Sequence, residues 1–110
     1  MATKNELEPF TRVTAQEAKE MLVHGAVIID VREKHEYDSG HVPGAVHIPV
    51  NTVYARREEL PKDKDVLLIC AIGQRSALAA EMAAAAGLTR LFNVEGGTEA
   101  WIKSGEPVDR

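Results

Sequence analysis

The chain has 110 residues, a formal net charge of −4, 45% hydrophobic and 27% charged residues, and a single cysteine. That is one domain's worth of chain with enough apolar material for a core, which excludes a disordered polypeptide. Arg56-Arg57 is followed at once by Glu58-Glu59, so the uncompensated basic patch of a nucleic-acid binder is missing, and no apolar run approaches the ~20 residues that span a bilayer.

The first stretch, MATKNELEPF, is polar and lacks the apolar core of a secretory signal. Residues 1–9 are expected to be a flexible segment and residues 10–108 the folded domain. A lone cysteine closes no internal disulfide, which points to a reducing cytoplasm. Phe10 to Val13 reads as a short strand. Thr14 with Glu17 has capping-box spacing and opens a predicted helix to about His24, with Gly25 as its stop. The continuous apolar run from Ala26 to Val31 is expected to be a strand covered on both faces, with Asp30 near its end. One helical turn is predicted at 34–38, then a loop with a turn at Pro43-Gly44 and a short strand near Val46 to Ile48. Asn51 can cap a helix running through Tyr54 to about Leu60. Val66 to Ile69 is the second buried strand, Ser76 to Ala86 a helix capped by Ser76, Leu91 to Val94 the last strand, and Thr98 to Lys103 the last helix, behind Gly96-Gly97. Strands alternating with helices imply right-handed crossovers and a mostly parallel sheet with helices on both faces. Sites in such sheets form at the carboxyl ends of the strands, where both Asp30 and Cys70 fall.

The segment CAIGQRS, Cys70 to Ser76, therefore sits at a strand-to-helix junction. There the unpaired amides and positive dipole end of a helix favour a thiolate, and the thiol is expected to ionise below the free value of ~8.5. A curl of residues 71–76 over the sulfur would form an anion nest, helped by Gly73, with Arg75 as a permanent charge able to dock an anionic donor. Tyrosine phosphatases use a similar plan with five residues between cysteine and arginine; here four separate Cys70 from Arg75, too short a ring for a phosphoryl group. Thioredoxin-type exchange needs a second cysteine, which the chain does not have. What remains is a loop sized for one extra sulfur atom.

CAIGQRS resembles the active loop of the rhodanese (sulfurtransferase) family, C-x-x-G-x-R-S. The stretch IIDVREKHEYDSGHVPGAVHIP, residues 28–49, resembles the family's second signature, and FNVEGGTEAW, residues 92–101, its closing G-G-x-x-A-W segment. The resemblance implies a three-layer α/β domain with a five-stranded, mostly parallel sheet. It implies transfer of a sulfane sulfur by ping-pong covalent catalysis. The Cys70 thiolate would take sulfur from thiosulfate or a related persulfide donor and pass it from a Cys70 persulfide to a thiol, cyanide or a protein acceptor. No metal or organic cofactor is implied, and the charge pattern and apolar run lengths above already speak against a nucleic-acid or membrane partner. Carried over by position, Cys70 is the nucleophile and Ala71, Ile72, Gly73, Gln74, Arg75 and Ser76 bind the sulfur. Asp30, Arg32 and Glu36 support the loop, with Arg32 and Glu36 expected to pair across the helical turn. His24, His35, His41 and His47 lack metal-ligand spacing, and His41 is expected to be structural. Two alternatives stand beside this reading: a non-catalytic interaction module on the same fold, and a phosphatase- or arsenate-type enzyme.

Overall fold

The computed structural model describes residues 2–110. Along them the chain forms β1 (Thr3–Lys4), β2 (Thr11–Val13), α1 (Ala15–Val23), β3 (Val27–Asp30), α2 (Lys34–Asp38), β4 (Val46–His47), β5 (Val66–Ile69), α3 (Gln74–Ala85), β6 (Leu91–Val94) and α4 (Gly97–Lys103). The sheet order is β1-β2-β6-β5-β3-β4. Every neighbouring pair is parallel except β1 with β2. Among the described residues no helix is long and apolar enough to cross a membrane.

The unbroken apolar runs have the cause that their sequence implied. Successive side chains of a strand point to opposite faces, and here both faces are covered. Leu67 and Ile69 of β5 pack with Ile28, Val94, Ala18 of α1 and Trp101 of α4. Val66 and Leu68 pack on the other face with Ile29, Leu91 and the Ala79, Ala80 and Ala83 side of α3. Those alanines are small enough to bring α3 close to the sheet. Each buried Leu or Ile contributes about 1.5–3 kcal/mol. Thr14 and Glu17 form the predicted capping box at the start of α1, an arrangement worth about 1 kcal/mol.

Three expectations are corrected. Among the described residues the sheet has six strands, because Thr3–Lys4, placed by the sequence in a flexible segment, adds antiparallel to β2. The stretch after β4 is not a helix to Leu60 but two 3₁₀ turns, Val50–Thr52 and Arg57–Glu59. Its start is tied to the sheet, with the Val50 N–H donating to the Val31 carbonyl. The Thr52 hydroxyl and the Arg57 guanidinium bond the Pro49 and Tyr54 carbonyls, competing with helical pairing. Lastly, α3 starts two residues earlier than expected, at Gln74 behind Gly73. Ser76 is thus inside the first turn and caps nothing.

The register aligns the two strand ends of interest. Asp30 of β3 sits opposite Ile69 of β5, and the Val31 N–H donates to the Ile69 carbonyl at 2.9 Å. Cys70, one residue on, emerges at the same carboxyl rim.

Candidate active site

Beyond Ile69 the chain turns through residues 71–73 and enters α3. Gly73, with φ of +109°, makes that turn in a backbone region closed to side-chain-bearing residues. The turn aims the Gly73 N–H at Cys70 Sγ, 3.0 Å away. The backbone amides of Ser76 and Ile72 act on the same sulfur, and the Ser76 hydroxyl oxygen lies 3.3 Å from it. Cys70 is only 1% exposed. Burial accordingly pushes its thiol up, but the Ser76 hydroxyl and the amides of Ser76, Gly73 and Ile72 outweigh burial and hold it below the usual thiol value. The sulfur thus has aliphatic neighbours on the sheet side and converging N–H groups on the loop side.

Two residues that the sequence reading did not single out hold the ring in shape. Asn93 of β6 is buried on the α3 side of the sheet, where its pattern calls for an apolar residue. Its amide nitrogen donates to the Gly73 carbonyl at 3.1 Å, and its oxygen accepts the Ser76 hydroxyl. It therefore clips both ends of the turn. A hydroxyl has one proton, so while Ser76 donates to Asn93 its oxygen can only accept from a Cys70 thiol. Once the sulfur is ionised it can only accept, and the hydroxyl becomes its donor. The signal available in the sequence was one polar residue in Leu-Phe-Asn-Val. Thr98 is the other. Its N–H and its hydroxyl both bond the Cys70 carbonyl, at 2.8 and 3.0 Å, while the Glu99 N–H takes the Ala71 carbonyl at 3.1 Å. The loop carbonyls are drawn outward, away from the sulfur, onto the start of α4. Gly96-Gly97 does more than turn the chain: a Cβ on Gly97 would lie 2.4 Å from the Cys70 carbonyl oxygen, so only glycine permits this docking.

The charged residues pair differently from the expectation. Arg32 does not reach across α2 to Glu36. Its guanidinium closes back on Asp30, Nη2 to Oδ2 at 2.8 Å, and also donates to the Gly40 carbonyl at 2.7 Å, all of it buried. The two-residue spacing within D-x-R makes that chelate local, whereas Glu36 faces the Cys70 loop. Glu36 accepts both Arg75 nitrogens, at 2.7 and 2.9 Å, and Arg75 holds its carboxyl down at about 2. Arg75 is thus braced by a carboxylate and does not stand free as a docking charge. Ala71 is half-buried, while Ile72 and Gln74 are exposed.

The rest of the second signature is built around one ring. Tyr37 stacks on His41 with centroids 3.7 Å apart and on His47 at 4.6 Å. Its hydroxyl donates to the Ala45 carbonyl, and the His41 ring meets the Tyr37 carbonyl. His47 Nε2 meets the Arg32 carbonyl at 2.7 Å, locking this turn to the Asp30–Arg32 pair. These histidines brace the rim from outside.

A doubly covered parallel sheet whose central strand ends in a cysteine wrapped by amides is the architecture of the rhodanese-like domain. The family model described as "Rhodanese-like domain" matches residues 14–104, and the chain belongs to that family. It is 30% identical over 92 residues to the thiosulfate sulfurtransferase GlpE of Pseudomonas syringae pv. syringae, 84% of this chain and 87% of that protein. It is 40% identical over 74 residues to YrkF of Bacillus subtilis, 67% of this chain but only 40% of that longer relative. Among solved structures, a rhodanese-related protein from Thermoplasma volcanium superposes with a TM-score of 0.82 at 34% identity, covering 89% of this chain and 96% of that one.

Proposed function

We propose that this chain is a sulfurtransferase that carries a sulfane sulfur as a persulfide on Cys70. The observation that carries the reading is the Gly73 N–H aimed at Cys70 Sγ from 3.0 Å with the Ser76 hydroxyl oxygen 3.3 Å away, and the Ile72 and Ser76 amides add to the pull that lowers the thiol. Donors fixed in advance around an anion stabilise it without reorganisation. The same groups that favour the thiolate would disperse the charge of the outer sulfur. Membership of the rhodanese-like family and a sulfurtransferase-named relative support the reading.

In this mechanism the Cys70 thiolate attacks the sulfane sulfur of a donor, a new S–S bond forms and the donor's own bond to that sulfur breaks. With thiosulfate, sulfite leaves with the electron pair. An acceptor thiolate or cyanide then attacks the outer sulfur and returns Cys70 to the thiolate, so electrons balance with no cofactor. Residues 71–76 bind the transferred sulfur through the main chain. Asp30–Arg32 and Glu36–Arg75 position the loop rather than touch the reactants. A small-molecule donor, a thiol or protein acceptor and a reducing cytoplasm that keeps the lone thiol reduced complete the proposal.

Intact-mass measurement tests it. Incubation with thiosulfate or a thiol persulfide is expected to add one sulfur atom, removed by cyanide, and Cys70→Ser is expected to add none. An unchanged mass with every donor would overturn the reading.

A further inference from the structure

The charges around the loop bear on which donor the site takes, a question that rests on the persulfide reading above. Thiosulfate is a dianion, and its approach to a thiolate brings three negative charges together. A site built for it needs cations free to receive it. Among the described residues every guanidinium near the loop is already engaged. Arg75 is gripped at both nitrogens by Glu36. Arg32 is buried against Asp30 and the Gly40 carbonyl. A cavity of about 540 Å³ flanks the loop beside Ile72, Gly73 and Gln74, and the cation on its wall, Arg12, is paired with Glu8 and Glu95. Glu33 adds a further exposed carboxylate near Arg75, and the whole chain carries −4. The side chains the loop itself presents, Ala71, Ile72 and Gln74, are uncharged, and Ile72 is 51% exposed as an apolar surface at the loop.

We infer that the site selects a thiol persulfide over thiosulfate, and that Glu36 sets this choice by neutralising Arg75. The transfer balances as Cys70–S⁻ + R–S–SH → Cys70–S–SH + R–S⁻. The bond between Cys70 Sγ and the outer sulfur forms, the R–S to S bond breaks with its electron pair going to R–S⁻, and the proton rides on the transferred sulfur, which can then release it to solvent and ionise against the loop amides. The donor brings no charge into the loop and the thiolate's single negative charge leaves on R–S⁻, so no cation is required. The loop amides and the dipole of α3 suffice for a single charge, and the alkyl part of R meets Ile72.

The test compares second-order rate constants for loading Cys70 by cysteine persulfide and by thiosulfate, read by intact mass so that gain of one sulfur is separated from a mixed disulfide. The wild-type chain is expected to load at least about tenfold faster from the persulfide. Glu36→Gln, which frees the Arg75 charge, and independently Ala71→Arg, which adds one, are each expected to raise the thiosulfate constant about tenfold and to narrow the ratio, an effect that shrinks in high salt. Should Glu36→Gln not fold, Ala71→Arg decides. Equal or faster loading of the wild type from thiosulfate overturns the inference and leaves the sulfurtransferase intact, as does a thiosulfate constant that neither folded variant raises. Loading by neither donor overturns the sulfur-transfer reading and the inference with it.

Discussion

The ends of β3 and β5 are neighbours in register, and they solve the same problem in opposite ways. Each central strand of a parallel sheet delivers a group that favours negative charge, Asp30 and Cys70, into a buried position at one rim. At β3 the charge is met by a side chain: Arg32 chelates Asp30, and the pair is sealed from solvent. At β5 it is met by main-chain amides and one hydroxyl. A guanidinium neutralises a carboxylate permanently and leaves nothing to react. Amides carry no net charge, so they favour the thiolate yet leave it a nucleophile. The first end is a strut and the second a cradle.

The largest expected effect lies at the strut. Asp30→Ala leaves the Arg32 guanidinium buried without its carboxylate, and is expected to cost about 3–5 kcal/mol in urea unfolding. A loss under about 1 kcal/mol would mean that Arg32 finds water or another partner and that the pair braces nothing. Next comes the cradle's outer wall. Gly97→Ala puts a Cβ against the Cys70 and Ala71 carbonyls at a φ of +57°, and is expected to cost more than about 2 kcal/mol. Because those carbonyls must move, it is also expected to slow sulfur loading, which separates it from a merely structural lesion elsewhere. The smallest effect belongs to the half-exposed link between the two ends. Glu36→Gln is expected to cost about 1 kcal/mol at neutral pH. Its folded carboxyl is held down to about 2, against ~4.3 when unfolded. The stabilisation is therefore present above about pH 4.5 and disappears as pH falls toward 2. Wild type and variant should converge in stability there, and a gap that persists at pH 2 would contradict the pairing.

Much of this was legible in the sequence because its signals are local. Apolar runs mark β3, β5 and β6 within a residue, Thr14 and Glu17 declare the start of α1, and the family motifs single out Cys70, Asp30, Arg32 and Glu36. What escaped depends on which elements meet. Asn93 looks like a blemish in an apolar strand until α3 brings Ser76 and Gly73 against it. Thr98 reads as an ordinary start of a helix until its N–H meets the Cys70 carbonyl. The partner exchange follows the same rule: Arg32 and Glu36 are suitably spaced for each other, but the fold supplies Asp30 behind one and Arg75, 39 positions away, in front of the other. Thr3–Lys4 is too short to show any period, and only β2 beside it makes it a strand. Polar residues in 51–60 concealed competition between side chains and backbone that no apolar spacing reveals.

Ionisation of Cys70 itself tests the cradle most directly. Titration of thiolate ultraviolet absorbance in the wild type, with Cys70→Ser as the blank, is predicted to give a midpoint below the ~8.5 of a free thiol, with Gly73→Ala moving it upward. A midpoint at or above that value would show that burial prevails over the amides and would contradict the account.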